Sequence, residues 1–263
     1  MPRKTDYPQK FAELISSFDN DEFFLRGQML QNLTIGEEGG VQIVWAPFEH
    51  VCKSARVALV GICPGTTQAE KALFVFRSAL SEGVAMEQAL RRAKLAASFG
   101  GAMRTNLVNM LDHIGLNDHL HVQSCEQLFT TECEQVHFTS ALRYPVFVCG
   151  KNYNGSPDMI QTAVLRSLID SAFAEECEVL SGAIFIPLGP KPAGALRYLA
   201  AQGIIRFTQI AAALPHPSGA NAERIAYFLG RKDRATLSAK TDPAKIDASR
   251  EALQKAVAKI SGA

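Results

Sequence analysis

Apolar runs and amphipathic segments alternate along the chain. Residues 56–62 (RVALVGI) and 183–188 (AIFIPL) are rich in apolar, often β-branched, side chains, and each is closely followed by proline and glycine. Runs of this length with such boundaries are typical of strands that are buried on both faces. Weaker strand predictions fall on residues 41–45, 104–111, 144–149 and 204–214.

Segments with helical spacing of apolar residues separate these strands. Helices are predicted over residues 9–18, 21–31, 68–80, 84–99, 158–173, 192–201, 219–229 and 243–260. Because strands and helices alternate, the predicted fold class is α/β, a mainly parallel sheet with helices on both faces. No shift in composition marks a domain boundary, so we expect a single domain over residues 1–263. It would carry an N-terminal helical extension (residues 1–40) and a C-terminal helical tail (residues 240–263).

Composition and charge narrow the functional classes. Hydrophobic residues make up 47% of the 263 residues and charged residues 20%, which is globular usage. The 27 Lys and Arg nearly balance the 26 Asp and Glu, which excludes a strongly basic, histone-like binder but not a local phosphate-binding patch. The apolar runs are far shorter than the roughly 20 residues of a membrane helix. Residues 1–10 are polar and lack the apolar core of a secretory signal, so we expect a cytoplasmic protein with no membrane partner.

The six cysteines are spaced poorly for a metal site. None forms a CxxC pair, and Cys125 and Cys133 are eight positions apart. Zinc and iron–sulfur sites need closely spaced Cys or His ligands. We therefore expect reduced, buried thiols, and we predict neither a metal nor a cofactor.

Candidate chemistry lies where predicted strands end. In a parallel α/β sheet, ligands bind beyond the carboxyl ends of the strands. Three such ends carry special residues: residues 61–65 (GICPG), residues 105–109 (TNLVN) and residues 214–221 (LPHPSGAN). In the third, two prolines restrict the backbone around His216. The backbone amides of the turn after it suit a phosphate or another anion.

These segments resemble motifs of the uracil-DNA glycosylase superfamily. GICPG is similar to the first motif of its mismatch-specific and single-strand-selective branches, which read GINPG and GMNPG, and HPSGAN is similar to the second motif, HPSPxN. Between them, residues 186–199 (IPLGPKPAGALRYL) resemble the strand–LGxxA–helix unit that precedes the second motif. TNLVN lies where the family carries its base-recognising Asn. The resemblance covers about residues 56–229, in the family order.

The resemblance implies a three-layer α/β/α fold with a short central parallel sheet. It also implies a monomeric DNA glycosylase, which flips a base out of DNA and hydrolyses its N-glycosidic bond, leaving an abasic site. The target base stays open: uracil or a modified pyrimidine, hypermodified phage bases removed in antiviral defence among them.

The resemblance also implies residue roles. His216 would donate a hydrogen bond to the carbonyl oxygen of the departing base, and the Asn106 amide would pair with a base edge. An aromatic ring after the first motif would stack on the base, with Phe76 favoured over Phe74. The base pocket would also include Gly61, Ile62, Pro64 and Gly65. DNA-binding residues would be Ser218, Gly219, Ala220, Asn221 and Arg224.

Cys63 departs from the family pattern, since relatives place Asn or Asp there to position the attacking water. Another residue, with Glu70, Asp112 and Asn109 as candidates, would then hold that water. Alternatively, leaving-group stabilisation suffices for a labile base, or the base is not uracil. Residues 144–157 (YPVFVCGKNYNGSP) would contact a bulky base or DNA, or form a surface loop.

Two rival functions follow from Cys63. A thiol hydrolase would use Cys63 as its nucleophile with His216. A non-catalytic DNA-binding protein of the same fold would have lost its water activator; it would bind DNA with salt-dependent affinity yet release no base.

Overall fold

The computed structural model describes residues 6–18, 24–130 and 133–260. The strands are β1 (Thr34–Glu38), β2 (Val41–Val44), β3 (Val57–Gly61), β4 (Val136–Ser140), β5 (Val146–Val148), β6 (Lys151–Asn152) and β7 (Ile184–Pro187). Strands and helices alternate over much of the chain, and β3, β4 and β7 form a parallel sheet, so the predicted α/β class is confirmed.

The α-helices are α1 (Tyr7–Ser16), α2 (Gly27–Asn32), α3 (Thr66–Ser81), α4 (Met86–Ala97), α5 (Gly101–His113), α6 (Leu116–His119), α7 (Ala163–Leu168), α8 (Ala174–Val179), α9 (Pro190–Ala201), α10 (Ala222–Phe228) and α11 (Pro243–Val257). A π-helical turn (Ile169–Phe173) joins α7 to α8, so the single helix predicted over residues 158–173 is shorter and irregular. The helix predicted over residues 21–31 lies partly outside the described residues. Within the described ranges, none of the helices has the length and apolar character needed to cross a membrane.

The chain divides into two compact units built from interleaved segments. Unit 1 comprises the described residues of Met1–Val51, Cys63–Ser98 and Leu142–Ala172, and unit 2 comprises those of Cys52–Ile62, Phe99–Ala141 and Phe173–Ala263. Because the chain passes repeatedly between the units, no single stretch of linker composition separates them.

Unit 1 contains an antiparallel sheet in the order β1-β2-β5-β6. Gly39 and Gly40 form the turn between β1 and β2, both with positive φ (56° and 78°), a conformation that glycine adopts without strain. The fully buried Trp45 ring directly follows β2, and the Phe11 ring of α1 packs on it at a centroid distance of 5.0 Å. The N-terminal helix is therefore part of the core of unit 1.

Unit 2 contains the parallel sheet, in the order β4-β3-β7. All five residues of β3 are buried, as the continuous apolar run predicts. Isolated parallel bridges join Phe185 to Ile210 and Leu188 to Leu214, so the segment predicted as the last strand extends the sheet beside β7 without forming a regular strand. The C-terminal helix α11 packs on α10, where the Tyr227 hydroxyl donates to Asp247 Oδ2 over 2.9 Å.

One strand prediction is wrong, and three strands, β1, β4 and β6, were not predicted. Residues 104–111 lie within helix α5, where Leu107, Met110 and Leu111 are buried at helical spacing. The strand that pairs with β3 on one side is β4, with Gly61 opposite Ser140. The strand predicted over residues 144–149 exists as β5, but it belongs to the antiparallel sheet of unit 1.

Candidate functional site

Three strand ends lie at the carboxyl edge of the parallel sheet in unit 2, and two of them lead to polar side chains. Ser140 ends β4 and pairs with Gly61 at the end of β3. A Cβ atom at Gly61 would lie 3.2 Å from Ser140 Oγ, so glycine lets this hydroxyl approach the strand closely. The Leu214 amide donates to Pro187 at the end of β7 over 2.9 Å, and the chain then continues to His216. The edge therefore brings His216 into the same row of strand ends as Ser140.

His216 has one nitrogen engaged within its own turn and one free. The Ser218 amide donates to His216 Nδ1 over 3.3 Å, so a neutral ring carries its proton on Nε2. Within the described ranges, Nε2 has no hydrogen-bond partner. Gly189, whose φ is 109°, lies beside His216, since a Cβ atom placed on Gly189 would be 4.0 Å from the Cβ atom of His216. The turn thus offers a free Nε2–H donor at the sheet edge.

Burial determines the charge of this histidine. Loss of hydration lowers the pKa of His216 below its ordinary value of 6.5, because the charged imidazolium is the form that burial disfavours. The imidazole is therefore neutral at neutral pH. The neutral ring keeps one donor, Nε2–H, because Nδ1 is the nitrogen that accepts from the Ser218 amide.

Asn106 lies on helix α5 rather than at a strand end, so its predicted placement is wrong. Its Nδ2 donates to the carbonyl of Pro217 over 2.9 Å. Asn106 thus fixes the turn that carries His216, and it is a positioning residue for that ring. Its Oδ1 accepts no hydrogen bond from the described residues and remains open to a ligand.

The turn after His216 presents backbone amides to solvent. The Asn221 amide donates to the Ser218 carbonyl over 2.9 Å, and Asn221 Nδ2 donates to Ser218 Oγ over 3.2 Å. Gly219 and Ala220 at its tip are exposed, and their amides donate to no other described residue. Arg224 follows on α10, exposed, with Nη1 donating to Asn221 Oδ1 over 2.9 Å. All five predicted DNA-binding residues therefore lie together.

Cys63 belongs to unit 1 and serves there as a structural thiol. Its Sγ accepts from the Val146 amide over 3.3 Å and lies 3.5 Å from the carbonyl of Tyr144, to which it donates. Burial raises the pKa of the Cys63 thiol to about 12, so almost none is ionised at neutral pH. These contacts disfavour the thiol-hydrolase hypothesis, since the nucleophile would be the thiolate.

Cys63 is expected to react with iodoacetamide far more slowly than Cys149, which is an exposed thiol in the same unit. At neutral pH, mass spectrometry of the native protein should find Cys149 alkylated while Cys63 stays unmodified. Urea-unfolded protein is the control, and there both should label. Rapid alkylation of Cys63 in the native protein would support the thiol-hydrolase hypothesis.

The rest of the first motif is divided between the units. Gly61 and the half-buried Ile62 belong to unit 2. Pro64, which is buried, and Gly65 belong to unit 1, where the Gly65 amide donates to Gln68 Oε1 over 3.2 Å at the start of α3.

Residues 144–157 form a hairpin that packs within unit 1. The Asn152 Oδ1 atom accepts from the Thr66 amide over 3.0 Å and from its hydroxyl over 2.7 Å, so it caps α3. The Tyr153 hydroxyl donates to the Pro157 carbonyl over 2.6 Å, and its ring is buried. Lys151 is exposed on β6. Both Asn152 and Tyr153 therefore have structural roles.

The two aromatic candidates differ sharply in exposure. Phe76 is fully buried and packs edge-on against Trp45, with ring centroids 5.8 Å apart. The prediction that Phe76 stacks on a base is therefore wrong, because its ring belongs to the core of unit 1. Phe74 is 55% exposed, and the Arg77 guanidinium lies 5.4 Å from its ring centroid.

Two of the three candidates for holding water are occupied by structural contacts. The Glu70 carboxylate accepts from the amides of Phe24 and Leu25 over 3.0 and 2.8 Å. Asp112 accepts from the Ser124 hydroxyl and the Cys125 amide over 2.8 and 2.7 Å. Asn109 is half-buried on α5, one helical turn after Asn106, and its amide has no partner among the described residues. It is the candidate that remains.

The chain is similar to the uncharacterized protein YoxB of Bacillus subtilis (strain 168). The two share 32% identity over 214 residues, which cover 80% of this chain and 84% of YoxB. The chain belongs to the YoxB family. No protein-family model matches it. No solved structure matches it either.

In this member of the YoxB family, Ser140 is a candidate site residue that the sequence did not predict. Its strand, VHFTS, alternates polar with apolar side chains and is only five residues long. No glycine or proline directly follows it. The signal that could have found Ser140 is its position at the end of this short apolar–polar alternation.

Proposed function

We propose that this protein is a DNA glycosylase that flips a base out of DNA and hydrolyses its N-glycosidic bond. The observation that carries the proposal is the free Nε2–H of His216, beside exposed backbone amides at the carboxyl edge of a parallel sheet. The resemblance of GICPG and HPSGAN to the two glycosylase motifs supports it. The parallel sheet of β4, β3 and β7 is compatible with the short central parallel sheet that this resemblance implies.

The chemistry requires a donor where negative charge develops. As the glycosidic bond breaks, the sugar becomes oxocarbenium-like and the departing base gains negative charge. His216 Nε2–H would donate to a carbonyl oxygen of that base, a preorganised contact typically worth about 3–4 kcal/mol in the transition state. Because the ring is neutral, it would stabilise the charge on the base through this hydrogen bond and not as an ion pair.

Other polar groups of unit 2 would supply the remaining roles. The Ser140 hydroxyl both donates and accepts, so it would contact the edge of the flipped base. The Asn109 amide would hold the attacking water. The Gly219 and Ala220 amides would bind the phosphate beside the flipped nucleotide. Such contacts offset the few kcal/mol that unstacking a base costs.

A base-release assay on a panel of oligonucleotides tests the proposal. Uracil, hypoxanthine, xanthine, a thymine mismatch, hydroxymethylcytosine and its glucosylated forms would each be placed in single-stranded and duplex DNA. Alkali cleavage reports abasic sites. We expect release from one class of base. Efficient cleavage of uracil-containing DNA with modified cytosines untouched would exclude the phage-base target and leave the glycosylase in place.

The second candidate is a DNA-binding protein of the same fold that does no chemistry. It is favoured by the structural contacts of Cys63, Glu70 and Asp112, which leave few groups to activate water. This protein would bind abasic or modified DNA with an affinity that falls as salt rises, yet release no base. Binding without release from every oligonucleotide of the panel would establish it.

A further inference from the structure

A short basic segment lies between α10 and α11 in unit 2. Residues 231–241 (RKDRATLSAKT), here called the basic strap, contain four cationic side chains and one carboxylate. Most of the strap is exposed. Asp233 folds it locally, since its carboxylate accepts from the Ala235 amide over 2.7 Å. The strap is therefore an ordered, positively charged surface segment.

Glu223, in the first turn of α10, fastens the strap. Its carboxylate accepts from Lys232 Nζ over 2.8 Å, from the amide and hydroxyl of Ser238 over 3.2 and 2.5 Å, and from the Thr241 hydroxyl over 2.5 Å. These donors, Lys232 first, hold the pKa of Glu223 far below its usual range. One carboxylate thus binds both ends of the strap to the helix that begins just after Asn221.

Arg224 connects the strap to the turn that follows His216. Its Nη1 donates to Asn221 Oδ1 over 2.9 Å and its Nη2 to the Lys240 carbonyl over 3.0 Å. Both acceptors are neutral, so these bonds leave the guanidinium charge uncompensated. Across residues 6–18, 24–130 and 133–260, neither Arg224 nor Lys240 forms an ion pair. In contrast, Lys232 pairs with Glu223, and Arg234 lies 3.6 Å from Asp247.

We propose that Arg224 and Lys240 form a second phosphate site, which binds the phosphodiester backbone of nucleic acid next to the phosphate held by the Gly219 and Ala220 amides. Glu223 is the positioning residue of this site. The inference rests on the proposed function, because the nucleic acid is the DNA whose base His216 would contact. The Arg224 guanidinium lies beside the turn that would hold the first phosphate, since its Nη1 is 2.9 Å from Asn221 Oδ1.

The salt dependence of binding tests the phosphate contact. Fluorescence anisotropy would give Kd for a labelled uracil-containing oligonucleotide, single-stranded and duplex, over a range of salt concentrations. Each lost phosphate contact lowers the slope of log Kd against log salt by about 0.7–0.9. We expect this decrease for Lys240→Ala. Lys255→Ala, which removes an exposed cation from the last turn of α11, is the matched control and should leave the slope unchanged.

For Glu223→Ala, two explanations predict opposite changes in the affinity for DNA. If net charge alone governed binding, removing a carboxylate would strengthen binding to DNA. If Glu223 positions the strap, its loss should weaken binding and lower the slope. It should also speed trypsin cleavage after Arg231, Arg234 and Lys240, since the strap would lose its anchor. This cleavage is measured without DNA, so it reports the strap directly.

The outcomes separate the strap from the glycosylase. One outcome is base release by the wild type, an unchanged slope in Lys240→Ala and tighter DNA binding in Glu223→Ala. It would overturn the second phosphate site and keep the glycosylase. Another outcome is DNA binding without base release, with a reduced slope in Lys240→Ala. It would keep the second phosphate site and overturn the glycosylase. Absence of any salt-dependent binding by the wild type would overturn both. Inorganic phosphate would also be added as a competitor. If a low concentration of it displaced the labelled oligonucleotide as well as unlabelled DNA does, the site would bind single anions only, and the proposed contact with the DNA backbone would be overturned.

Discussion

Replacing His216 by alanine is expected to lower the rate of base release by about 10²–10³-fold, the usual effect of removing one preorganised donor to a developing negative charge. The loss should appear in the single-turnover rate rather than in DNA affinity, because the donor matters most when the base departs. The turn should survive, since Asn106 still holds the Pro217 carbonyl. Circular dichroism and thermal unfolding would check that the variant is folded.

Two amide variants separate the roles of the two ring nitrogens. In His216→Asn, the amide oxygen can occupy the place of Nδ1 and accept from the Ser218 amide, but no donor reaches the place of Nε2. In His216→Gln, an amide N–H can reach that place. We expect the Gln variant to retain more activity than the Asn and Ala variants. Equal activity of the Asn variant and the wild type would exclude Nε2–H as the donor.

The pH profile of the wild type follows from the lowered pKa of His216. Above the ordinary pKa of 6.5, the ring is neutral in both the folded and the unfolded chain. Titration of His216 should therefore not change the rate of base release in this pH range. As pH falls below 6.5, the unfolded chain binds a proton before the folded chain does. His216 thus stabilises the fold above pH 6.5, and this contribution is lost as pH falls through the lowered pKa.

The elements predicted well are those whose local sequence leaves little choice. β3 and β7 are apolar runs that end at glycine and proline, and their burial on both faces follows from composition alone. The turn at His216 is set by two flanking prolines, so its rigidity is also local. Here the sequence around each residue decides the structure with little help from distant contacts.

The elements predicted badly depend on distant partners. Residues 104–111 are too short and too mixed for periodicity to separate helix from strand, and the buried Leu107, Met110 and Leu111 decide for a helix only once the core is known. In β4, the polar His137 and Thr139 are buried, which alternation would assign to a solvent face. The partner that makes His137 acceptable there is Glu176, 39 residues away on α8.

Site roles also depend on long-range packing. The sequence suggested Asn106 as a base contact because TNLVN lies where the resembled family carries its base-recognising Asn, and that contact stays a prediction. In the folded chain its Nδ2 donates to the Pro217 carbonyl, 111 residues away. Phe76 and Phe74 are two positions apart on α3, so their side chains lie on different faces of the helix. The position of Trp45 decides that the face of Phe76 is the one in the core. Long-range packing therefore settled what local pattern left open.

The buried pair of His137 and Glu176 is expected to contribute strongly to the stability of unit 2. His137 is 2% exposed and Glu176 is fully buried. The Cys52 amide donates to His137 Nδ1 over 3.3 Å, so the neutral ring donates from Nε2 to Glu176 Oε1. Removing either side chain takes one partner from this buried hydrogen bond, which typically costs about 1–3 kcal/mol, and more when the group left behind is charged.

Glu176→Ala should therefore lower the free energy of unfolding by about 1–3 kcal/mol in urea titrations. His137→Ala should lower it further, because a buried carboxyl group loses its donor, with Tm lower by about 2–4 °C for each kcal/mol. Glu251→Ala, which removes an exposed carboxylate on α11, should change stability by less than about 0.5 kcal/mol. The double variant His137→Leu/Glu176→Leu decides the mechanism. Because it leaves neither group unpaired, it should cost much less than the sum of the two alanine variants. A double variant that costs the full sum would mean that each side chain is needed for its own packing, with no energetic coupling between them.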